Sequence, residues 1–263
     1  MLATAPMSNR ARILLSIAIA SLAAYLYLGI SVRELFPRGN GIEIVQQFAA
    51  AALGPEANTQ NILMALLVTV KYAVAAITLA FALALPLSVI ASSSFWSGCG
   101  ITCHVLRWVV RSFIALMRSV HELLWAVLLL SAMGLSPISA VIAIAIPYAG
   151  TLAKVFSDII DESSLKAENA LNSIGASRWQ KFFLGRLPQA IPDILSYAFY
   201  RFECALRSSA ILGFFGFPTL GYYIKLEFDN LNYAKVWAYL YVLLAMVVVV
   251  EYYSMQLRRR FVA

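Results

Sequence analysis

Arg201, Glu203 and Arg207 stand inside Ile191–Leu212, a stretch that is otherwise largely apolar. An arginine at the centre of a bilayer costs at least ~2.5 kcal/mol on insertion scales, so it faces the protein interior and needs partners. Arg201 lies ~15 Å along a helix from Ile191 at ~1.5 Å per residue, which places it near the midplane. Glu203 and Arg207 are spaced i,i+4 and can pair. Arg201 points elsewhere, and Glu122 is a candidate partner from another span. Two uses fit this triad. The charges can neutralise one another and fix helix packing, or Arg201 or Arg207 can line a pathway and make it permissive for an oxyanion. Other reactive groupings are weaker. His121 and Glu122 are adjacent, so on a helix they point about 100° apart and form no dyad. Glu122 is therefore read as a packing or pathway residue. Cys99, Cys103 and His104 form C-x3-C-H without a second cluster, a poor metal signature, and are expected to be ordinary loop residues with reduced thiols. The phosphate-binding pattern G-x4-G-K-[ST] does not occur, so this chain is not expected to hydrolyse nucleotide. No nucleophile–base or metal constellation supports a membrane enzyme.

The elements that position these residues follow from composition. Hydrophobic residues make up 62% of the chain and charged residues 13%, with a mean hydropathy of +0.79. A soluble domain carries roughly 25% charge. Several apolar runs approach or exceed the ~20 residues of a helical span. These are continuous runs, not the ~10-residue alternating segments of a barrel. The reading is an all-α integral membrane protein with six spans, at 13–32, 62–91, 113–133, 138–156, 191–212 and 236–253. Arg10 and Arg12 before the first run also permit a signal peptide, but the run is too long for a signal core. Of twenty Lys and Arg residues, thirteen fall in segments on the side of the N-terminus. Four fall on the other side (Arg33, Arg38, Lys225 and Lys235), and Lys71, Arg201 and Arg207 lie inside spans. The positive-inside rule then puts both ends in the cytoplasm. The net charge of +7 is a topology signal; it is spread over short loops, so nucleic acid is not an expected partner.

The connections carry further expectations. The outer loop 33–61 contains a helical spacing of apolar residues from Ile42 to Leu53, read as an amphipathic helix on the outer membrane surface and ended by Gly54-Pro55. Residues 92–112 read as a polar cytoplasmic connection. Gly134-Leu135-Ser136-Pro137 reads as a tight turn. Ala76, Ala80 and Ala84, and likewise Ala145, Ala149 and Ala153, form small-residue faces that let membrane helices approach closely. Residues 167–192, AENALNSIGASRWQKFFLGRLPQAIP, break the apolar pattern. Ala170, Leu171 and Ile174 form one apolar face before Gly175. Ser177 caps a second short helix with Trp179, Phe182 and Phe183 on its apolar side. This is a helix–turn–helix lying along the membrane, either anchoring on headgroups or presenting side chains to a cytoplasmic partner. Phe214, Phe215, Phe217 and Pro218 lie at the outer end of the fifth span, as a dewetting gate or an interfacial aromatic belt.

Gly175 followed by Leu187 and Pro188 resembles the loop signature of ABC importer permeases, E-A-A-x3-G-x9-I-x-L-P. Asn169 stands at the glutamate position with Glu168 one residue early, Ala170 and Leu171 stand at the two alanine positions, and Gly185 replaces the isoleucine. RSVHELLWAVLLLSAMGLSP (118–137), AGTLAKVFSDIIDE (149–162) and SYAFYRFECALRSSAILGFFG (196–216) are similar to the phosphonate and phosphite transport permeases. The resemblance implies a type I importer permease fold, N-in and C-in, in the bacterial inner membrane. Residues 1–61 would be an N-terminal span plus outer segment, and 62–263 a core with coupling helices at 163–188. Glu168, Asn169, Ala170, Gly175, Ala176, Trp179, Phe182, Phe183, Leu187 and Pro188 would contact an ATPase. Implied partners are a second copy of the chain, two ABC ATPase subunits that hold ATP and magnesium, a periplasmic or lipid-anchored substrate-binding protein, and membrane lipid. Alternatives are a permease for another solute such as methionine, or an ATPase-independent channel or secondary transporter.

Overall fold

The computed structural model describes residues 9–29, 39–56, 59–96, 98 and 100–262. Arg33, Arg38 and Cys99 lie outside the described residues. The described residues are helical, with no strand among them. They divide into two compact units, Met1–Leu53 and Gly54–Ala263. The first holds α1 (Asn9–Tyr27) and α2 (Gly41–Ala51), the latter matching the helical spacing in the outer loop.

The second unit begins with α3 (Thr59–Ala91). Ala65, Thr69, Ala73, Ala76, Ala80, Ala84, Ser88 and Ala91 on this helix are all buried. They form a continuous small-residue stripe at spacings of three and four, which brings a neighbouring backbone close. The principal neighbour is α6 (Pro137–Glu162), whose Ala145, Ala149 and Ala153 are fully buried. Both small-residue faces read from the sequence are therefore packing faces. Gly150 continues this closeness: a Cβ there would fall 2.8 Å from the Met117 Cβ.

The expected third span is not one straight helix. α4 (Ile101–Ser119) begins well before residue 113, and α5 (Glu122–Met133) leaves it at 90°. The connection 92–112 is thus partly helix, correcting its reading as a loop. Local chemistry explains the bend. Val120 and His121 are extended, and the His121 Nδ1 accepts the Leu123 amide at 3.3 Å, capping α5. The Trp125 indole donates to the freed Met117 carbonyl at 3.2 Å. The Gly134–Pro137 turn is present as read. Gly134 has φ of +75°, Ser136 and Ser139 form a capping box, and Pro137 opens α6.

After α6 come α7 (Lys166–Ser173) and the short α8 (Arg178–Gln180), which continues through a π-helical turn, Lys181–Arg186, into α9 (Leu187–Ile211). α10 (Leu220–Asp229) and α11 (Tyr233–Val262) complete the chain. α9 sits centrally, against α3, α6 and α11. Among the described residues, four helices are long and apolar enough to cross a membrane: α1, α3, α6 and α11. The bent α4–α5 pair makes a fifth if counted as one span. α9 is not among them, because Asp193, Arg201, Glu203 and Arg207 interrupt it.

Candidate functional site

The segment between α6 and α9 folds as two short helices around Gly175. Gly175 has φ of +76°, a left-handed conformation that a side chain disfavours, and its amide closes the turn on Asn172. Ser177 and Gln180 form a capping box that starts α8. The three aromatic residues read as one face divide. Phe182 is buried in the main core. Trp179 is 58% exposed and Phe183 43% exposed, with their rings stacked at 6.1 Å. Ile174 and Leu184 are also exposed, while Leu171 is half-buried. Asn169, Ala170 and Pro188 are exposed, and Ala176 and Leu187 are partly covered.

Glu168 points inward. Its Oε2 lies 3.4 Å from the Nε of Arg186, whose side chain is nearly buried. Gly185 makes this close approach possible: a Cβ there would sit 3.1 Å from the Leu171 Cδ1 and 3.3 Å from the Glu168 backbone. α7 therefore packs directly on the π-helical turn. The carboxylate, one residue early in sequence, serves as an internal brace, and Asn169 occupies the exposed position.

A junction that the sequence reading assigned to a plain loop lies beneath this segment. Ser92, Ser93 and Ser94 surround the Asp161 carboxylate near the end of α6. Oδ1 accepts from the Ser92 hydroxyl (2.6 Å), the Ser94 amide (3.0 Å) and the Ser94 hydroxyl (2.8 Å). Oδ2 accepts from the Ser93 amide (2.9 Å) and hydroxyl (2.7 Å), with Arg111 Nη2 at 3.5 Å. α6 is ~39 Å long at ~1.5 Å per residue, and a bilayer core is ~30 Å thick. Its C-terminal end, with Asp158, Asp161 and Glu162, lies past the apolar run 138–156. Burial there pushes the Asp161 pKa up, but the serine donors outweigh it and hold the carboxyl down to about 2.

The charges of α9 are arranged differently from the expected triad. Glu203 does not pair with Arg207. Its Oε1 lies 3.3 Å from Arg258 Nη2 on α11. Geometry explains this: the buried Glu203 faces α11, whereas Arg207 is exposed and donates weakly to the Cys204 Sγ at 3.7 Å. Arg201 does not meet Glu122. Its guanidinium lies 5.3 Å from the Tyr197 ring centre and 5.9 Å from those of Tyr148 and Tyr200. Its Nε donates to the Tyr197 hydroxyl at 2.8 Å. Glu122 instead accepts from the Ser208 hydroxyl at 2.6 Å, and Ser208 is 2.9 Å from the Tyr148 hydroxyl. A polar seam thus runs from Arg201 through Tyr148 and Ser208 to Glu122. Tyr197, Arg201, Cys204 and Ser208 share one face of α9 at spacings of three and four.

The aromatic residues that follow α9 do not form one cluster. Phe217 is buried and meets Tyr72 edge-on at 5.5 Å; Phe214 and Pro218 are exposed, and Phe215 lies at the core margin. The turn beneath them is tightly packed. A Cβ on Gly213 would fall 2.0 Å from the Tyr222 nitrogen, and one on Gly221 2.1 Å from the Ala210 oxygen. Thr219 donates to Ala210, and the Leu220 amide donates to the buried Thr69 hydroxyl. Among the described residues no three His, Cys, Asp or Glu side chains gather to hold a metal. Cys103 is disulfide-bonded, against the expectation of a reduced thiol.

Residues 97–262 match the family described as the binding-protein-dependent transport system inner membrane component. The chain belongs to this family. It is an integral, multi-pass protein of the inner membrane, and its curated relatives carry phosphonate, phosphite or phosphate transport names. It is 32% identical over 195 residues to the phosphate-import permease protein PhnE of Mycolicibacterium smegmatis, covering 74% of this chain and 36% of that protein. It is 30% identical over 152 residues to a putative phosphite transport system permease, HtxE, of Stutzerimonas stutzeri, covering 58% of each. The chain thus spans between about a third and three fifths of the length of these relatives. Among solved structures, it matches an inward-facing MetNI methionine ABC transporter at 18% identity, with a TM-score of 0.67 over 77% of this chain and 96% of that one. An amino acid ABC transporter matches at 21% identity, with a TM-score of 0.66 over 77% and 94%. These likenesses show the fold of this inner membrane component. The family match takes in α4 to α11, and so both the helix pair around Gly175 and the seam on α9. Reasoning from sequence missed Asp161 with its serines, and the Tyr148–Ser208 link. Tyr197, four residues before Arg201, was the one available signal.

Proposed function

We propose that this inner membrane component is the permease subunit of an ATP-driven ABC importer that moves a phosphonate-type or related phosphorus oxyanion. α9 would be the fifth of six spans, with both chain ends in the cytoplasm. The working assembly is a homodimer with the pathway between the two copies. Two ABC ATPase subunits bind ATP and magnesium and carry out hydrolysis, and a periplasmic or lipid-anchored binding protein delivers the solute. The exposed Ile174, Trp179, Phe183 and Leu184 form the docking surface for an ATPase subunit, and ATP-dependent closure moves α6 and α9 through it.

One observation carries the solute class. Both acidic side chains near the seam are engaged, Glu203 by Arg258 and Glu122 by Ser208, whereas Arg201 and Arg207 have no carboxylate partner among the described residues. Contacts with tyrosine rings, each contributing ~0.5–2 kcal/mol, offset the cost of holding Arg201 without neutralising it. An oxyanion in transit supplies the missing charge. The names of the relatives support the phosphorus class. The test is uptake of phosphonate, phosphite and phosphate by the reconstituted complex carrying Arg201→Met. Uptake is expected to fall at least about tenfold with the assembly intact, the effect of losing a charge-assisted contact of ~1.5–3 kcal/mol. Unchanged uptake would remove Arg201 from the pathway.

A further inference from the structure

The junction under the coupling segment has a use that its position in a loop does not announce. Asp161 sits in the last turn of α6, where the helix dipole disfavours a negative charge. It is therefore poorly placed to stabilise its own helix. Its two oxygens instead receive five hydrogen bonds from Ser92, Ser93 and Ser94. Arg111 adds the ion pair and donates through Nε to the Ala91 carbonyl at 3.0 Å, tying α4 to the end of α3.

The same five-residue stretch, Ser92–Trp96, is gripped from the other side by the coupling segment. Arg178 Nε donates to the Phe95 carbonyl at 2.8 Å, and its guanidinium lies over the Phe95 and Trp96 rings at 5.9 and 5.8 Å. Arg186 donates to the Ser94 hydroxyl, the same hydroxyl that donates to Asp161. Phe95 is buried edge-on among Trp96, Trp179 and Phe182, with ring centres 5.0 to 5.1 Å away. Trp179 thus touches this stretch with one side while the rest of it is exposed.

We infer that Ser92–Trp96, locked to Asp161, is a strut that transmits displacement of the coupling segment to α3 and α4. This rests on the permease reading above and adds a route that the chain connectivity lacks. Covalently, the segment joins only α6 and α9. Through Arg178, Arg186 and Phe95 it also holds the α3–α4 connection, and through Asp161 that connection is fixed to α6. Four helices then move with the segment. Asp161 and Ser94 are positioning residues: they touch neither solute nor nucleotide.

The test compares Asp161→Asn, Asp161→Glu and Ser94→Ala in the full complex in proteoliposomes. Two quantities are read: phosphonate or phosphite moved per ATP hydrolysed, and the affinity of the ATPase subunit. Asp161→Asn and Ser94→Ala are expected to lower the transport-to-hydrolysis ratio about tenfold, within the usual range for lost coupling between sites, with ATPase affinity within about twofold of wild type. Asp161→Glu is expected to restore at least half of the ratio. An unchanged ratio in both variants overturns the strut, as does a ratio that falls only in step with ATPase binding. If Asp161→Asn fails to assemble, Ser94→Ala decides alone: a lowered ratio supports the strut and a wild-type ratio overturns it. Absence of ATP-dependent uptake in wild type overturns the permease reading and the strut together, so the two failures are distinguishable.

Discussion

Replacing Trp179 with alanine tests the proposed docking surface, because this ring is mostly outside the fold. A tryptophan side chain presents up to ~250 Å², and Trp179 is 58% exposed, leaving ~145 Å² available to a partner. At ~25 cal/mol per Å² that area is worth at most ~3.6 kcal/mol on docking. Alanine keeps part of the contact and association has its own ordering costs, so the expected loss is ~2 kcal/mol, or about 30-fold in affinity. The assay is titration of ATPase subunit onto the permease in nanodiscs. Trp179→Phe preserves a ring beside Phe183 and Phe95, and should lose much less. An affinity for Trp179→Ala within about twofold of wild type would refute the assignment of this face to docking.

Two other substitutions test the fold around the sites. Phe182→Ala removes a ring that is 4% exposed, so it should cost ~3–5 kcal/mol of stability and lower the thermal midpoint, unlike its exposed neighbour Phe183. Gly221→Ala would drive a Cβ to 2.1 Å from the Ala210 oxygen and should lower the thermal midpoint by about 5 °C, as overpacking of ~1–3 kcal/mol does. Gly54→Ala, with nothing within 4 Å of the new Cβ, is the control and should leave the midpoint unchanged.

Hydrophobic runs located α1, α3, α6 and α11 because a lipid-facing helix must be apolar along its length. The small-residue stripes were legible for a related reason: close helix approach demands Ala, Gly or Ser at fixed spacing. The 90° break at Val120–His121 was not legible. Neither residue is a helix breaker by type, and the bend depends on the His121 cap and on Trp125 reaching Met117. The Glu203–Arg258 pair was hidden because its partner lies on α11, while Arg207 offered a local pair at the right spacing. Asp161 was overlooked for a similar reason: its donors are 67 to 69 residues earlier, and a serine run reads as solvated loop until the chain folds over it. The break in the apolar pattern between α6 and α9 was legible in the Gly175 to Pro188 spacing, yet the inward face of that segment required the structure. Only contact with α7 shows why residue 185 is glycine and why Glu168 turns away from the surface.

The most direct test of the central claim is solute uptake by proteoliposomes holding this protein with the proposed ATPase subunits and binding protein, with and without ATP. The account predicts uptake of a phosphorus oxyanion that requires ATP hydrolysis and is lost with the ATPase-inactive subunit. Uptake of equal rate without ATP or without the ATPase subunit would contradict it.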